Sequence, residues 1–404
     1  MTYISSTISE KKRREISFHT SRIELSQSAL KKNIKFLQKI IGPRTIFSSV
    51  IKGNAYGHNI RTFVPLAEQC GVRHFSVFSA YEALIAHQSL TEDSHIMIMG
   101  DLCASALEWA IENEVSFYIF TVEWLEKTLT AARKIGRPAL IHLELETGMY
   151  RTGLAGRDLN RAVRIIKANA EYLKVEGICT HYAGAESISN YVRVQEQIHK
   201  FKETALDLAR KGLKIKLWHT ACSAAALRYP DTRMDLVRFG IAQYGFWPNK
   251  ETQMHYFMHN GTPRSKKQLD PLKRVMTWKS RIMNIKEVGK GEFIGYGTSY
   301  MTARNQKIAS VPIGYFHGFA RQLSNRGYVL VRGRRAQVVG IVNMNMMMID
   351  VTDFPEVNIG DDVVIIGSQK KQQITVGSFS DLAQFLNYEI LVRLPEEIPR
   401  IVVP

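Results

Sequence analysis

Cysteine is scarce: the four in 404 residues, Cys70, Cys103, Cys179 and Cys222, form no CxxC pair and keep no regular spacing. Neither a disulfide framework nor a cysteine zinc site is indicated, and no metal is expected. No stretch approaches the roughly 20 apolar residues that a membrane helix needs, and the N-terminus has no apolar signal-peptide core. The expectation is a cytoplasmic protein with reduced thiols and no membrane partner. Internal repeats and low-complexity segments are also missing.

Acidic residues are in deficit, with 54 Lys+Arg against 37 Asp+Glu and a formal charge of +17. Such a balance raises nucleic-acid binding. The positive charge falls partly in short clusters, Lys11 to Arg14, Lys266-Lys267, Arg332 to Arg335 and Lys370-Lys371, and no long basic helix or nucleic-acid motif accompanies them. A solvated basic surface that draws in small anions is expected instead, with no nucleic-acid partner.

What remains is ordinary globular composition, 45% hydrophobic and 23% charged, in a chain long enough for two domains. Strand-like runs cover Thr45–Val50, Arg73–Phe78, His95–Met99, Val115–Phe120, Ala139–Leu145, Val175–Thr180, Ile215–His219 and Asp235–Phe239. Helix-like stretches alternate with them, the clearest being Val122–Ile135, Leu159–Leu173 and Val192–Lys211. Alternation of this kind predicts a parallel α/β fold, and eight units predict a (β/α)8 barrel. Phe18–Leu25 reads as an earlier strand, followed from Ser26 by a helix with Leu30, Ile34, Leu37 and Ile41 on one face. Beyond residue 274 the runs Val275–Val288, Ile308–Ile313, Tyr328–Val331, Gln337–Val342, Met346–Val351 and Asp362–Ile366 predict a mostly β domain, with Ser378–Leu386 its one helical stretch. The predicted division is a flexible basic arm over 1–16, the barrel over 17–260, a linker over 261–274 and the β domain over 275–404.

Catalytic residues of such barrels sit just past the carboxyl ends of the strands. Lys52 follows the first run and is succeeded by the turn formers Gly53 and Asn54; Arg151 follows the fifth, His181 the sixth, Ser223 the seventh, and Arg238 with Gly240 closes the eighth. A partly desolvated lysine loses its proton readily and can form a Schiff base with an aldehyde cofactor or a carbonyl substrate. Read singly, Lys52 is a surface lysine, Ser223 a helix cap and Gly240 a turn. Together, a lysine at the first strand and an anion cradle at Ser223, Gly240 and Ile241 point to pyridoxal phosphate. Arg238, set among apolar residues, demands a partner. Either it forms an internal salt bridge, or it bonds the cofactor's ring nitrogen and, by keeping its own proton, weakens the electron sink.

The segment Val50-Ile51-Lys52-Gly53-Asn54-Ala55-Tyr56-Gly57-His58 resembles the cofactor-lysine signature of the alanine racemases. Further segments agree in order: Glu146 to Gly153, Thr180 to Ala183, His219 to Ala225, Val237 to Ile241, Gly295 to Tyr300, Pro312 to Tyr315 and Asn343 to Asn345. The resemblance implies a homodimer with shared active sites, in which Tyr296, Tyr315 and Met344 come from the partner chain. It implies racemisation of L-alanine to D-alanine, for peptidoglycan, by two bases: Lys52, which also holds pyridoxal phosphate, and Tyr296 on the opposite face. A free tyrosine with a pKa near 10 is otherwise a poor base. Tyr56, Ser223, Gly240, Ile241 and Tyr315 resemble the phosphate contacts, and His181 the residue beside the ring. His219 resembles the support of Arg238, while Arg151 and the Met344 N–H resemble the binders of the substrate carboxylate.

Four positions depart from the family pattern. Glu144 stands where a carbamylated lysine is common, Cys222 where asparagine is common, Asn345 where aspartate is common, and Glu396 near a common pocket tyrosine. Glu144 supplies a negative charge without modification, and a pocket-facing Glu396 would widen the substrate range towards serine, lysine or arginine. A decarboxylase or aldolase on the same scaffold is disfavoured by Arg238 and the paired bases. A basic interaction protein with a vestigial site is disfavoured by the presence of both bases and Arg151.

Overall fold

The structure, a computed structural model, describes residues 18–260, 270–354, 356–377 and 387–404. The expected basic arm, most of the expected linker and the helix expected over Ser378–Leu386 lie outside the described residues. The chain divides into two compact units. One contains residues 29–53 and 63–273, the other residues up to 28, 54–62 and 274–404.

The first strand, β1 (Ser21–Ser26), is followed by the helix Gln27–Ile41, whose Leu30, Ile34, Leu37 and Ile41 are buried as the spacing predicts. Then come β2 (Ile46–Val50), β3 (His74–Val77), β4 (His95–Ile98), β5 (Ser116–Ile119), β6 (Ala139–Glu144), β7 (Leu173–Cys179), β8 (Leu217–His219) and β9 (Leu236–Phe239). These eight form one parallel sheet in the order β8-β7-β6-β5-β4-β3-β2-β9. Between β8 and β9 there is no full ladder. Instead the Asp235 N–H donates to Trp218 O and the Arg238 N–H to Ala221 O, both at 3.0 Å, so the sheet is a nearly closed barrel. The expected barrel is therefore present.

Buried faces of the strands are apolar in the main, with Ile141, Leu143, Ile178, Val237 and Phe239 packed inside. Each large aliphatic side chain removed from water stabilises the fold by roughly 1.5–3 kcal/mol. Helix caps sharpen the alternation: Thr121 accepts the Trp124 N–H at the start of Val122–Ile135, and Gly136, at φ 71°, ends that helix in the left-handed conformation glycine tolerates. The helix expected over Leu159–Leu173 ends at Ala168. Asn169 leaves the helical conformation, its side chain bonding Ile165 O, and Leu173 opens β7.

The second unit is built on β10 (Met276–Arg281), β11 (Asn284–Val288), β12 (Gln306–Val311), β13 (Tyr328–Val331), β14 (Arg334–Val339), β15 (Met347–Asp350), β16 (Asp362–Gln369), β17 (Gln372–Ile374) and β18 (Arg400–Val403). Its sheet runs β11-β12-β15-β14-β13-β16-β10-β1-β18, with β17 on β16. The run Val275–Val288 is thus two strands rather than one. β1 pairs antiparallel with β10 and parallel with β18. This corrects a barrel beginning at residue 17: β1 lies in the β unit, because its alternating burial suits a sheet with one covered face. Residues 54–62 also group with that unit.

Candidate active site

The carboxyl end of β2 is pinned from below. The Val50 carbonyl accepts from Gln243 Nε2 (3.0 Å) and Tyr244 Oη (2.9 Å), and the Ile51 N–H donates to Ser76 O (2.9 Å). Lys52 follows this anchored residue. Glu82 fixes the next peptide, accepting the Gly53 N–H at 2.6 Å. Desolvation lowers the Lys52 proton affinity, and the positive charges of Arg151 and Arg238 push the same way against Glu82. A lysine so placed is more readily neutral than one in water, which is what a nucleophile or proton acceptor requires.

Arg238 is buried on β9 and committed to a rigid set of acceptors. Its Nη1 donates to His219 Nδ1 (2.6 Å) and His219 O (2.9 Å), and its Nη2 to Thr180 O (2.8 Å) and Thr220 O (3.0 Å). A guanidinium has five donors. Four are used here, and among the described residues nothing accepts from Nε. Burial and Arg238 keep His219 well below the usual imidazole pKa, and His181 is lowered to about 3 by burial and the charges of Arg238, Arg151 and Lys52. Both rings are neutral near pH 7.

Ser223 begins the short helix Ser223–Arg228, and its Oγ accepts the Gly240 N–H at 3.1 Å. That leaves the Ser223 hydroxyl proton available, while no described residue accepts from the Ile241 N–H. Two unpaired donors beside a glycine suit a phosphate or another oxyanion.

Arg151 rides on a loop closed by its own backbone. Glu146 accepts the N–H groups of Gly148, Met149 (2.9 Å) and Tyr150 (2.9 Å), and the Leu154 N–H donates to Glu144 O (2.8 Å). Gly153, at φ 125°, has no room for a side chain, since a Cβ would meet Glu146 N at 2.8 Å. Gln197 ties this loop to the next one, donating to Thr147 Oγ1 (3.2 Å) and His181 O (3.1 Å). The Arg151 guanidinium is half-exposed, with Nη2 3.9 Å from Oε1 of the buried Glu144.

The barrel unit thus brings Lys52, Glu144, Arg151, His181, His219, Ser223, Arg238, Gly240 and Ile241 onto its carboxyl-end loops and strand ends. Residues 25–248 match the model of the alanine racemase N-terminal domain, and residues 275–402 that of the C-terminal domain. The chain belongs to the alanine racemase family. It is 33% identical over 391 residues to the alanine racemase of Leptospira interrogans, covering 95% of this chain and 96% of that one. Solved structures of two alanine racemases superpose on it. That of Clostridium difficile 630 gives a TM-score of 0.85 at 27% identity, covering 95% and 96% of the two chains. That of Bartonella henselae, with covalently bound pyridoxal phosphate, gives 0.79 at 26%, covering 95% and 100%. Family membership makes the chain an isomerase.

In the β unit, Tyr296 is 72% exposed, Tyr315 44% and Met344 54%. Tyr296 is flanked by Gly295 and Gly297 at φ 74° and 68°. Tyr315 and Met344 are held together by backbone bonds, Tyr315 N–H to Asn343 O and Phe316 N–H to Met344 O, both 3.0 Å. Tyr56, also in this unit, is buried, with its ring 6.0 Å from that of Tyr388. Glu396 is exposed, and its carboxylate accepts from Asn59 Nδ2 at 3.3 Å.

Several structural supports lie outside the residues singled out from sequence: Glu82, His142, Gln197, Gln243 and Tyr244. Only His142 had a local signal, since it precedes Glu144 by two residues on a strand and so shares its face. The others hold groups distant in sequence: Glu82 holds Gly53, Gln197 holds Thr147 and His181, and Gln243 and Tyr244 hold Val50.

Proposed function

We propose that the chain racemises L-alanine and D-alanine with pyridoxal phosphate by a two-base mechanism, and that each active site of a homodimer combines the barrel of one subunit with Tyr296, Tyr315 and Met344 of the partner subunit. The observation that carries the cofactor assignment is Arg238: a buried guanidinium with four donors fixed and Nε–H left over fits a ring nitrogen. Lys52 at the strand end and the free donors at Ser223 and Ile241 fit the aldehyde and phosphate ends. When bound, pyridoxal phosphate makes the amino acid's Cα proton acidic.

The residues then divide the work. Lys52 Nζ would hold the cofactor and, as a proton acceptor or donor, would serve one face of Cα. Oη of the partner's Tyr296 would serve the other face. Arg151, oriented by Glu144, binds the substrate carboxylate with the N–H of the partner's Met344. Arg238, which stays protonated, would donate through Nε to the ring nitrogen; a ring nitrogen left unprotonated would favour simple proton transfer over deeper carbanion chemistry. His219 steadies Arg238, and His181 would pack beside the ring. Tyr56, Ser223, Gly240 and Ile241, with the partner's Tyr315, would hold the phosphate. The exposure of Tyr296, Tyr315 and Met344 supports the shared site, because large side chains left open in one chain are available to a second. The product D-alanine would serve peptidoglycan synthesis in the cytoplasm.

Incubation with pyridoxal phosphate and L-alanine in deuterated water tests the reading. D-alanine labelled at Cα is expected. Exchange without inversion would remove Tyr296 from its role, and neither exchange nor inversion would remove alanine as substrate.

A further inference from the structure

The barrel interior carries a second polar system that racemisation leaves unused. Beyond Arg238 the hydrogen bonds continue, His219 Nε2 to His142 Nδ1 at 2.9 Å, His142 Nε2 to Ser116 Oγ at 3.3 Å, and Ser116 Oγ to Ile96 O at 3.3 Å. The proton order follows from its ends. Arg238 can only donate, so His219 Nδ1 accepts and its Nε2–H donates to His142 Nδ1. His142 must then carry its proton on Nε2 and donate to Ser116, whose hydroxyl donates to the carbonyl. Burial lowers the His142 pKa to about 3, which keeps that ring neutral and the chain of one polarity.

His142 also lines a cavity of about 410 Å³ at the amino ends of the strands, together with Arg73, His74, His95, Glu176 and Lys216. That volume falls within the roughly 300–1,000 Å³ of small-molecule sites. The carboxylate of Glu176 is already paired with Lys216 Nζ at 2.9 Å. His74 Nδ1 meets Ser48 Oγ at 2.9 Å. Among the described residues, His74 Nε2 and both ring nitrogens of His95 have no hydrogen-bond partner. Arg73 lies 3.4 Å from Glu92, but no group of described residues is placed to hold a metal ion, and an apolar ligand would leave the imidazole nitrogens unpaired. A small anion meets neither objection.

We propose that this cavity is a second ligand site for a small oxyanion, phosphate or a short carboxylate, and that its occupancy is felt at Arg238 through His142 and His219. A negative charge beside His142 makes its Nδ1 a stronger acceptor, which polarises His219 and strengthens the bond from Arg238. The guanidinium then donates less strongly through Nε. The coupling rests on the cofactor reading above; the binding site does not.

Calorimetric titration of the holoenzyme with inorganic phosphate, and separately with acetate, distinguishes the two sources. Saturable binding that Lys216→Ala and His95→Gln each weaken at least tenfold is expected, with a shift of the bound cofactor's absorption band. In His142→Asn the binding should persist without the band shift, and His142→Gln serves if that variant does not fold. No binding, or binding indifferent to both cavity variants, overturns the site. Binding without a band shift in a holoenzyme that racemises alanine overturns the coupling. If the protein takes up no cofactor, the cofactor reading fails, while titration of the protein as isolated still judges the site.

Discussion

Replacing Glu144 with glutamine isolates a single electrostatic contribution. The carboxylate is buried on β6 and its Oε1 lies 3.9 Å from Arg151 Nη2. At that separation an effective dielectric of about 20 gives roughly 4 kcal/mol of attraction. The Arg151 side chain is 56% exposed, so water screens most of this, and about 1 kcal/mol survives, as for other half-exposed pairs. Glutamine keeps the size and loses the charge. If Glu144 orients Arg151 towards a substrate carboxylate that is equally bound before and during proton transfer, the loss falls on KM and spares kcat. We expect the KM for L-alanine to rise about fivefold, 1.4 kcal/mol being a factor of ten.

The same substitution predicts a pH signature. Desolvation raises the Glu144 carboxyl above its ordinary pKa, against the hydrogen bond from Thr152 and the charge of Arg151. As pH falls through that raised value the wild type becomes neutral at this position and its KM climbs, whereas the glutamine variant has no such inflection. Initial rates of D-alanine formation across substrate concentration and pH should give two KM curves that meet at low pH and separate at high pH. An unchanged KM in the variant, or curves parallel throughout, would refute the assignment of Glu144.

Three further outcomes are expected. Tyr296→Phe should keep Cα exchange of one alanine enantiomer while inversion falls by about 10²-fold or more, the usual contribution of a positioned acid or base, followed by deuterium uptake and chiral separation. Arg238→Gln should leave buried acceptors on Thr180, Thr220 and His219 without their donor, at about 1–3 kcal/mol each, and a urea unfolding curve should show a loss of at least about 3 kcal/mol. Burial holds His58, His142 and His181 at about 3, below the roughly 6.5 of the unfolded chain, so the unfolded state binds more protons between those values. Stability from each histidine is therefore present above pH 6.5 and lost as pH falls towards 3, by up to about 1.4 kcal/mol per pH unit. Unfolding free energies at pH 7 and pH 5 should differ less in His142→Gln than in the wild type.

Strand positions were legible because a barrel strand is an apolar run bounded by turns, and seven of the eight observed strands fall inside the expected runs. β7 alone begins two residues early. Residues at strand ends were legible for the same reason, since the topology assigns them a place without any side-chain geometry. What sequence could not supply is pairing at a distance. Phe18–Leu25 reads as a strand, yet nothing local says that β1 joins β10 and β18 rather than the barrel. Gln243 and Tyr244 read as ordinary residues after a strand, and only the fold brings them under Val50.

The segment after Lys52 shows a different limit. Gly53 and Asn54 announce a turn, and the reading from composition stops there, because glycine and asparagine enter the left-handed region easily. Yet Gly53, Asn54, Ala55, Tyr56 and Gly57 all have positive φ, at 63°, 52°, 55°, 51° and 77°, making one left-handed helical turn. Alanine and tyrosine resist that conformation by roughly 1–2 kcal/mol each. The cost is offset by bonds that the sequence does not advertise. The Asn59 N–H donates to Asn54 O (2.9 Å), the His58 N–H to Ala55 O (3.0 Å) and the Ile60 N–H to Asn54 Oδ1 (2.8 Å), while His58 Nδ1 lies 3.0 Å from both Ala55 O and Tyr56 O. Gly57 closes the turn where any Cβ would lie 1.9 Å from Leu391 O. Strain of this kind persists only where surroundings over-determine it, and such residues cluster at functional sites. Here it begins one residue after Lys52, so the backbone on the carboxyl side of the lysine has one conformation available, as the anchored Val50 carbonyl fixes it on the amino side.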